Sequence, residues 1–166
     1  MWYASLYLMY YNLLMFKIRS LTLEDYERIR QVDKLTQIQY LGEEWDKLSE
    51  DEKETHLKSR KSEFSLNVET GYCFVATENS EIIGFILAHE TLPFHGTLYI
   101  RHIAIKPDYQ GKGIGPLLYK QLIRRAKMGN IKKVVSMINL DNPKSINLHQ
   151  KLGFNLKDRK EAVLII

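Results

Sequence analysis

Cysteine is almost absent. Cys73 is the only one, so no disulfide can form within the chain. Its place inside an apolar run marks it as a buried thiol in a reducing compartment, taken here as the cytoplasm. No basic run is interleaved with aromatics. The net charge of +4 is spread over the chain, which makes nucleic acid an unfavoured partner. There are no internal repeats, low-complexity tracts or interdomain linkers. The only long uncharged stretch is 1–15, MWYASLYLMYYNLLM. It lacks the positive leader and small-residue cleavage site of a signal peptide. As a helix it would fall short of the roughly 30 Å hydrocarbon core, so no membrane span is expected. We read it as an N-terminal extension whose aromatic surface packs on the domain or on the second subunit of a homodimer.

What is present suits one globular domain over 16–166, with 45% hydrophobic and 27% charged residues. Phe16–Arg19 alternates like a strand, and Thr22 with Asp25 opens a helix through Tyr26, Ile29 and Val32. Ser49–Glu52 is a capping box, predicting a largely solvated helix to about Phe64. Between them, 40–46 is an acidic, aromatic loop anchored by Trp45. Residues 71–77 and 81–88 are β-rich runs joined by a tight turn, and a turn over 91–96 returns the chain into strand 98–105. Lys132–Ile138 predicts a strand and Asn142–Gly153 a helix, with Asn142 at the N-cap, Pro143 in the first turn and Gly153 past the end. Strands are expected from Phe154 onward and over 162–166. The helix after 115 carries apolar residues at 114, 117, 118, 122 and 126, with Gly129 as its expected left-handed stop.

The organising stretch is Ile103-Ala104-Ile105-Lys106-Pro107-Asp108-Tyr109-Gln110-Gly111-Lys112-Gly113-Ile114-Gly115. A strand runs into a glycine-rich loop and then directly into a helix, so backbone N–H groups and the helix dipole converge where a pyrophosphate could sit. No hydroxyl residue follows a Gly-Lys, which excludes a P-loop, and the glycine spacing excludes the dinucleotide fingerprint.

Gln110-x-x-Gly113-x-Gly115, preceded by Ile-Ala-Ile-x-Pro, resembles the acetyl-CoA loop of the Gcn5-related N-acetyltransferase (GNAT) superfamily. Asn139, Asn142, Ser145 and Lys151-Leu152-Gly153-Phe154 resemble its C-terminal motif. The resemblance covers about Phe16 to Phe154. It implies an α/β fold of α+β type: a mixed, mostly antiparallel sheet, split by a splay between the strands near 98–105 and 132–138, and flanked by about four helices. It implies acetyl transfer from acetyl-CoA to a primary amine by direct attack in a ternary complex, with no metal. A non-catalytic acyl-CoA-binding regulatory module is the alternative. By the same resemblance, the backbone of Ile103, Ala104 and Ile105 would hold the pantetheine arm. The amides of Gln110, Gly111, Lys112, Gly113, Ile114 and Gly115 would hold the pyrophosphate, and Asn142 with Ser145 the amide of the arm.

Two catalytic positions depart from the family. His149 stands where many relatives carry a tyrosine acid, and Tyr99 where several carry a glutamate base. Pro116 also lacks an N–H that relatives often supply to phosphate. Since a phenol near pKa 10 is a poor base, Glu90 is the first substitute, expected beside Tyr99 by hairpin pairing. Glu43 and Glu44 follow, with His89 and His102 also available. Arg101 shares a strand face with Tyr99.

Overall fold

Strand β3, Glu81–Glu90, is buried without a break from Ile82 to Ala88. A run with no polar alternation is what a strand covered on both faces needs. The computed structural model describes residues 15–91, 95–160 and 162–164. The expected extension over 1–14 therefore lies outside the described residues, as do 92–94 of the turn and 165–166 of the expected last strand. The chain divides into two compact units, one ending at Ser136 and the other beginning at Met137.

The first unit holds a five-stranded sheet in the order β1-β2-β3-β4-β5, with β1 Lys17–Ser20, β2 Phe74–Glu78, β4 Thr97–Ile105 and β5 Lys133–Ser136. The first three junctions are antiparallel and β4 pairs β5 in parallel, the mostly antiparallel mixed sheet expected. The β2–β3 hairpin closes through Asn79 and Ser80, with φ of 47° and 69°. Two left-handed residues in a two-residue loop match the twist of the flanking strands.

Helix α1, Tyr26–Leu41, and α4, Lys61–Glu69, cover one face, where Ile29, Val32 and Phe64 pack against Val75, Phe85, Leu87 and Ala104. The single turn α2, Glu44–Lys47, buries Trp45, and α3, Glu50–His56, buries nothing. Helix α5, Ile114–Met128, covers the other face. Its buried Ile114, Leu118, Leu122 and Ala126 recur every fourth residue, which lines them along one stripe.

The expected helix from Ser49 to Phe64 is two helices. The chain leaves helical geometry at Leu57, and the Lys58 and Ser59 N–H groups donate instead to the buried Asp33 carboxylate at 2.7 and 2.8 Å. That break, with the separate turn at Trp45, is why the helices outnumber the four expected. Gly129 is not the left-handed stop of α5 either: its φ is −84°, and Asn130 takes the positive φ of 62°. Gly129 is small for another reason, since a Cβ there would sit 2.1 Å from the Tyr72 hydroxyl.

In the second unit, α6, Pro143–Lys151, forms as its signals predict. The Asn142 side chain accepts from Ser145 N–H at 3.0 Å, and Gly153 has a φ of 84°. The strands expected from Phe154 and at 162–164 are not formed. No described strand pairs with these residues, and Val163 and Leu164 are exposed.

Candidate functional site

The pairing of β4 defines the site. Its partnership with β5 runs from Thr97 with Lys133 to Ile100 with Ser136 and ends there, while its pairing with β3 continues to Ile105. At that same point β4 carries one extra residue: Ala88 pairs Ile100 and Leu87 pairs His102, leaving Arg101 as a bulge. The hydrogen bond from Lys106 N–H to the Ile83 carbonyl, 2.9 Å, sets the phase beyond the bulge. In an antiparallel ladder hydrogen-bonded and non-bonded pairs alternate. Ala104 therefore spends its backbone groups on β3, and Ile103 and Ile105 turn theirs outward along the edge that β5 has left. The expectation that Ala104 also presents its backbone is corrected by this phase.

The strand then enters the loop. Pro107–Tyr109 forms a 3-10 turn in which Gln110 N–H donates to the Pro107 carbonyl at 3.2 Å, so that amide is committed internally. The Gln110 side chain tethers the loop, donating to the Ile105 carbonyl at 3.2 Å and to Gln39 of α1 at 2.8 Å. Gly111 and Gly113 have φ of 78° and 82°, a conformation that costs a residue with a Cβ. Gly113 is the N-cap of α5, and the Ile114 and Gly115 amides that follow have no acceptor within the helix. The first turn holds no acidic residue to repel an anion, and Lys112 Nζ lies 4.6 Å from the Tyr109 ring centre. Pro116 removes the third amide of the turn.

The candidate bases separate by register. His89, not Glu90, pairs with Tyr99. Glu90 pairs with Leu98 on the opposite face of the sheet and accepts from Gly96 N–H, capping the β3–β4 turn. The expected neighbour of Tyr99 is thus corrected by one residue, which in a strand means the other face. The His89 and Tyr99 ring centres are 5.6 Å apart, edge to face. Burial, and after it the Arg101 guanidinium, hold His89 below the usual histidine range, with Glu63 acting in the other direction. Arg101 lies 3.5 Å from Glu63 of α4. His102 Nε2 is buried and faces Asp33 Oδ1 at 3.4 Å. Burial raises the Asp33 carboxyl, but His102 and the Ser59 donors outweigh it and leave it below the usual carboxylate range. Glu43 and Glu44 are exposed on the turn at Trp45, where Glu44 accepts from Lys47 at 2.6 Å.

In the second unit, His149 Nδ1 is 2.8 Å from the Ser145 carbonyl, and its ring meets Phe154 edge to face at 4.9 Å. A carbonyl can only accept, so Nδ1 carries the proton. A neutral His149 then offers Nε2 only as an acceptor. Donation to a thiolate would require the doubly protonated ring.

Sequence reasoning missed Asp33, Ser59, Glu63 and Gln39. A signal existed for the first: Asp33 and Gln37 follow Ile29 at intervals of four, which puts a carboxylate and an amide on the buried face of α1. Among the described residues, no group of three or more His, Cys, Asp or Glu could hold a metal ion. No described helix is long and apolar enough to cross a membrane.

Comparison with known proteins agrees with this geometry. The L-methionine sulfoximine/L-methionine sulfone acetyltransferase of Pseudomonas aeruginosa is 29% identical over 111 residues, 64% of each chain. The L-amino acid N-acyltransferase MnaT of Escherichia coli is 33% identical over 94 residues, 55% of each. The chain thus spans less than two thirds of the length of these curated relatives. The PaiA N-acetyltransferase from Thermoplasma acidophilum, solved in complex with coenzyme A, superposes with a TM-score of 0.74 at 21% identity, over 87% of this chain and 92% of that one. At that identity the likeness is one of fold. The model of the acetyltransferase (GNAT) family matches residues 29–154, and together with the open edge of β4 running into the glycine loop this establishes that the chain belongs to the GNAT family.

Proposed function

We propose that this protein transfers the acetyl group of acetyl-CoA to the primary amine of a small, amino-acid-like acceptor, by direct attack in a ternary complex. The observation that carries the reading is the edge of β4 past Ile100. There the outward groups of Ile103 and Ile105 lie in line with the amides of the glycine loop and the start of α5. An extended arm with amide groups can add to that edge as a strand would. The Gly111–Gly115 amides supply a seat for its pyrophosphate at a helix N-terminus. The arm needs acceptors as well as donors, and a strand edge provides both.

Three demands follow from the bond changes. An alkyl amine, with a reference pKa near 10.4 for lysine, is protonated at neutral pH and must lose a proton before it attacks. The tetrahedral oxyanion needs an aimed donor, and the outward N–H of Ile103 at the head of the open edge is the one we assign. The departing thiolate gains from a proton. The C-terminal motif implies that His149 gives it and that Asn142 and Ser145 serve the arm, and we keep those roles. The acceptor class comes from the relatives: two are named for methionine sulfoximine and for L-amino acids, and a third, from Halalkalibacterium halodurans, for L-2,4-diaminobutyric acid. A zwitterionic acceptor would offer opposite charges to Glu63 and Arg101, which lie on the covered side of β4. The single buried Cys73 fits a reducing compartment, and we place the protein in the cytoplasm.

The test is incubation with acetyl-CoA and a panel of amino acids, methionine sulfoximine, diaminobutyrate, polyamines, aminoglycosides and N-terminal peptides, read by mass spectrometry. An acetylated amino acid supports the reading. Calorimetric binding of acetyl-CoA without product on any amine would replace it with the non-catalytic acyl-CoA-binding module.

A further inference from the structure

Leu87 and His89 lie two apart on the unbulged strand β3, so their partners His102 and Tyr99 share one face of β4. Leu87 belongs to the cluster packed under α1 and α4, which identifies that face. Arg101 reaches from the bulge to Glu63 of α4 at 3.5 Å. An imidazole, a phenol, a guanidinium and a carboxylate therefore gather where β5 leaves β4. This inference rests on the acetyl-transfer reading. If the phosphates occupy the loop and the arm follows Ile105 and Ile103 backward along β4, its thioester end arrives beside Arg101. Tyr99 is two residues further, about 7 Å at roughly 3.3 Å per residue, and His89 is its direct cross-strand partner. Side chains reaching into that gap leave a distance that bridging water closes.

We infer that His89 is the proton acceptor for the attacking amine. The other groups near it are placed otherwise: Glu90 accepts from the Gly96 N–H, Glu63 pairs with Arg101, and His102 Nε2 is buried facing Asp33 at 3.4 Å, away from any incoming amine. Tyr99 as a neutral phenol has no site basic enough to take an ammonium proton. His89 is kept neutral at pH 7 by burial and by Arg101, against the opposing pull of Glu63, so its ring has a lone pair ready. The groups facing it are Tyr99 and Arg101 from β4 and Glu63 from α4. In the step, an ammonium proton passes to the imidazole directly or through one water. The nitrogen lone pair forms a bond to the thioester carbon, and the C–S bond then breaks to release the CoA thiolate while the nitrogen sheds its second proton to solvent, leaving the neutral amide. The imidazolium later returns its proton to solvent.

The experiment is a kcat–pH profile between about pH 5 and 9, on the acceptor found above, for wild type and three variants. Wild type should lose kcat below its His89 titration, at a pH under the histidine reference of about 6.5. His89→Gln should lower kcat about 100-fold at pH 7, abolish that acid limb and leave acetyl-CoA affinity unchanged. Arg101→Met removes the cation that disfavours imidazolium and should move the limb to higher pH. Glu63→Gln removes the carboxylate that favours it and should move the limb lower. These opposed shifts would not arise from a packing role, and they remain readable if His89→Gln fails to fold. A wild-type protein that forms no product overturns this assignment together with the acetyl-transfer reading. Product formation with an unaltered limb in His89→Gln, or no shift in the two charge variants, overturns the assignment of His89 alone.

Discussion

Asp33→Asn should destabilise the fold far more than a change of one atom suggests. The side chain is fully buried, and one carboxylate oxygen accepts from Lys58 N–H at 2.7 Å and from Ser59 N–H and Oγ at 2.8 Å each. The other faces Gln37 Nε2 at 3.4 Å and His102. Asparagine conserves volume, so no cavity opens, and one carbonyl oxygen can still receive the three donors. What is lost is their charge assistance. A hydrogen bond to a charged group contributes about 1.5–3 kcal/mol against about 1 for a neutral one, so three of them weaken by roughly 1.5–6 kcal/mol together. The new amide N–H group also points donor to donor at Gln37. Urea unfolding at pH 7 should show this loss as a lower midpoint with an unchanged slope. The pH dependence carries the sign. A carboxyl whose folded pKa is lowered contributes stability above its unfolded value near 3.9 and loses it as pH falls through the folded value. The gap between wild type and variant should therefore begin to narrow below about pH 4 and close only as pH falls past the lowered folded value, where protonated Asp33 becomes nearly isosteric with asparagine. A loss under about 0.5 kcal/mol at pH 7, or a gap that persists at low pH, would refute the reasoning.

Two further outcomes concern the reaction. Gly113→Val should fold with a penalty of about 1–3 kcal/mol for a branched residue at φ 82° and lose acetyl-CoA binding by calorimetry; retained affinity in the folded variant would remove the loop from the argument. His149→Ala should lower kcat with little change in acetyl-CoA affinity if the ring supplies the leaving group's proton, and His149→Tyr, which needs no second proton to donate, should recover activity at high pH; unchanged kcat in both would remove His149 from the chemistry.

Local signals were strong where a residue's conformational role is settled within a few positions. Asn142, Pro143 and Gly153 fixed α6, Ser49 and Glu52 fixed the start of α3, and the fourfold spacing of Ile114, Leu118 and Leu122 fixed the buried face of α5. The glycine loop was legible for the same reason. Features decided across the sheet were not. The helix break at Leu57 depends on a carboxylate on α1, distant in sequence, and no propensity at 57–60 announces it. Whether Glu90 or His89 meets Tyr99 depends on a register set by the β3–β4 turn and by the Arg101 bulge, and a shift of one residue reverses the face. Gly129 illustrates a third limit: its position after a helix suggests a backbone role, whereas the constraint is the Tyr72 ring packed over it.

The extra residue in β4 acts as a phase shifter. Up to Ile100 the even-numbered residues offer their backbone to β5, and beyond Arg101 the odd-numbered ones offer theirs to the vacant edge. Information of this kind is carried by residue count rather than by any side chain. Substituting alanine along β4 would leave the phase intact and report only on side chains. Deleting a single residue there would rotate the whole run from His102 to Ile105, exchanging inward for outward groups while keeping almost every amino acid present. For this strand, tolerance to substitution and tolerance to deletion are separate properties, and a mutational survey confined to replacements would overlook the one that sets the docking edge.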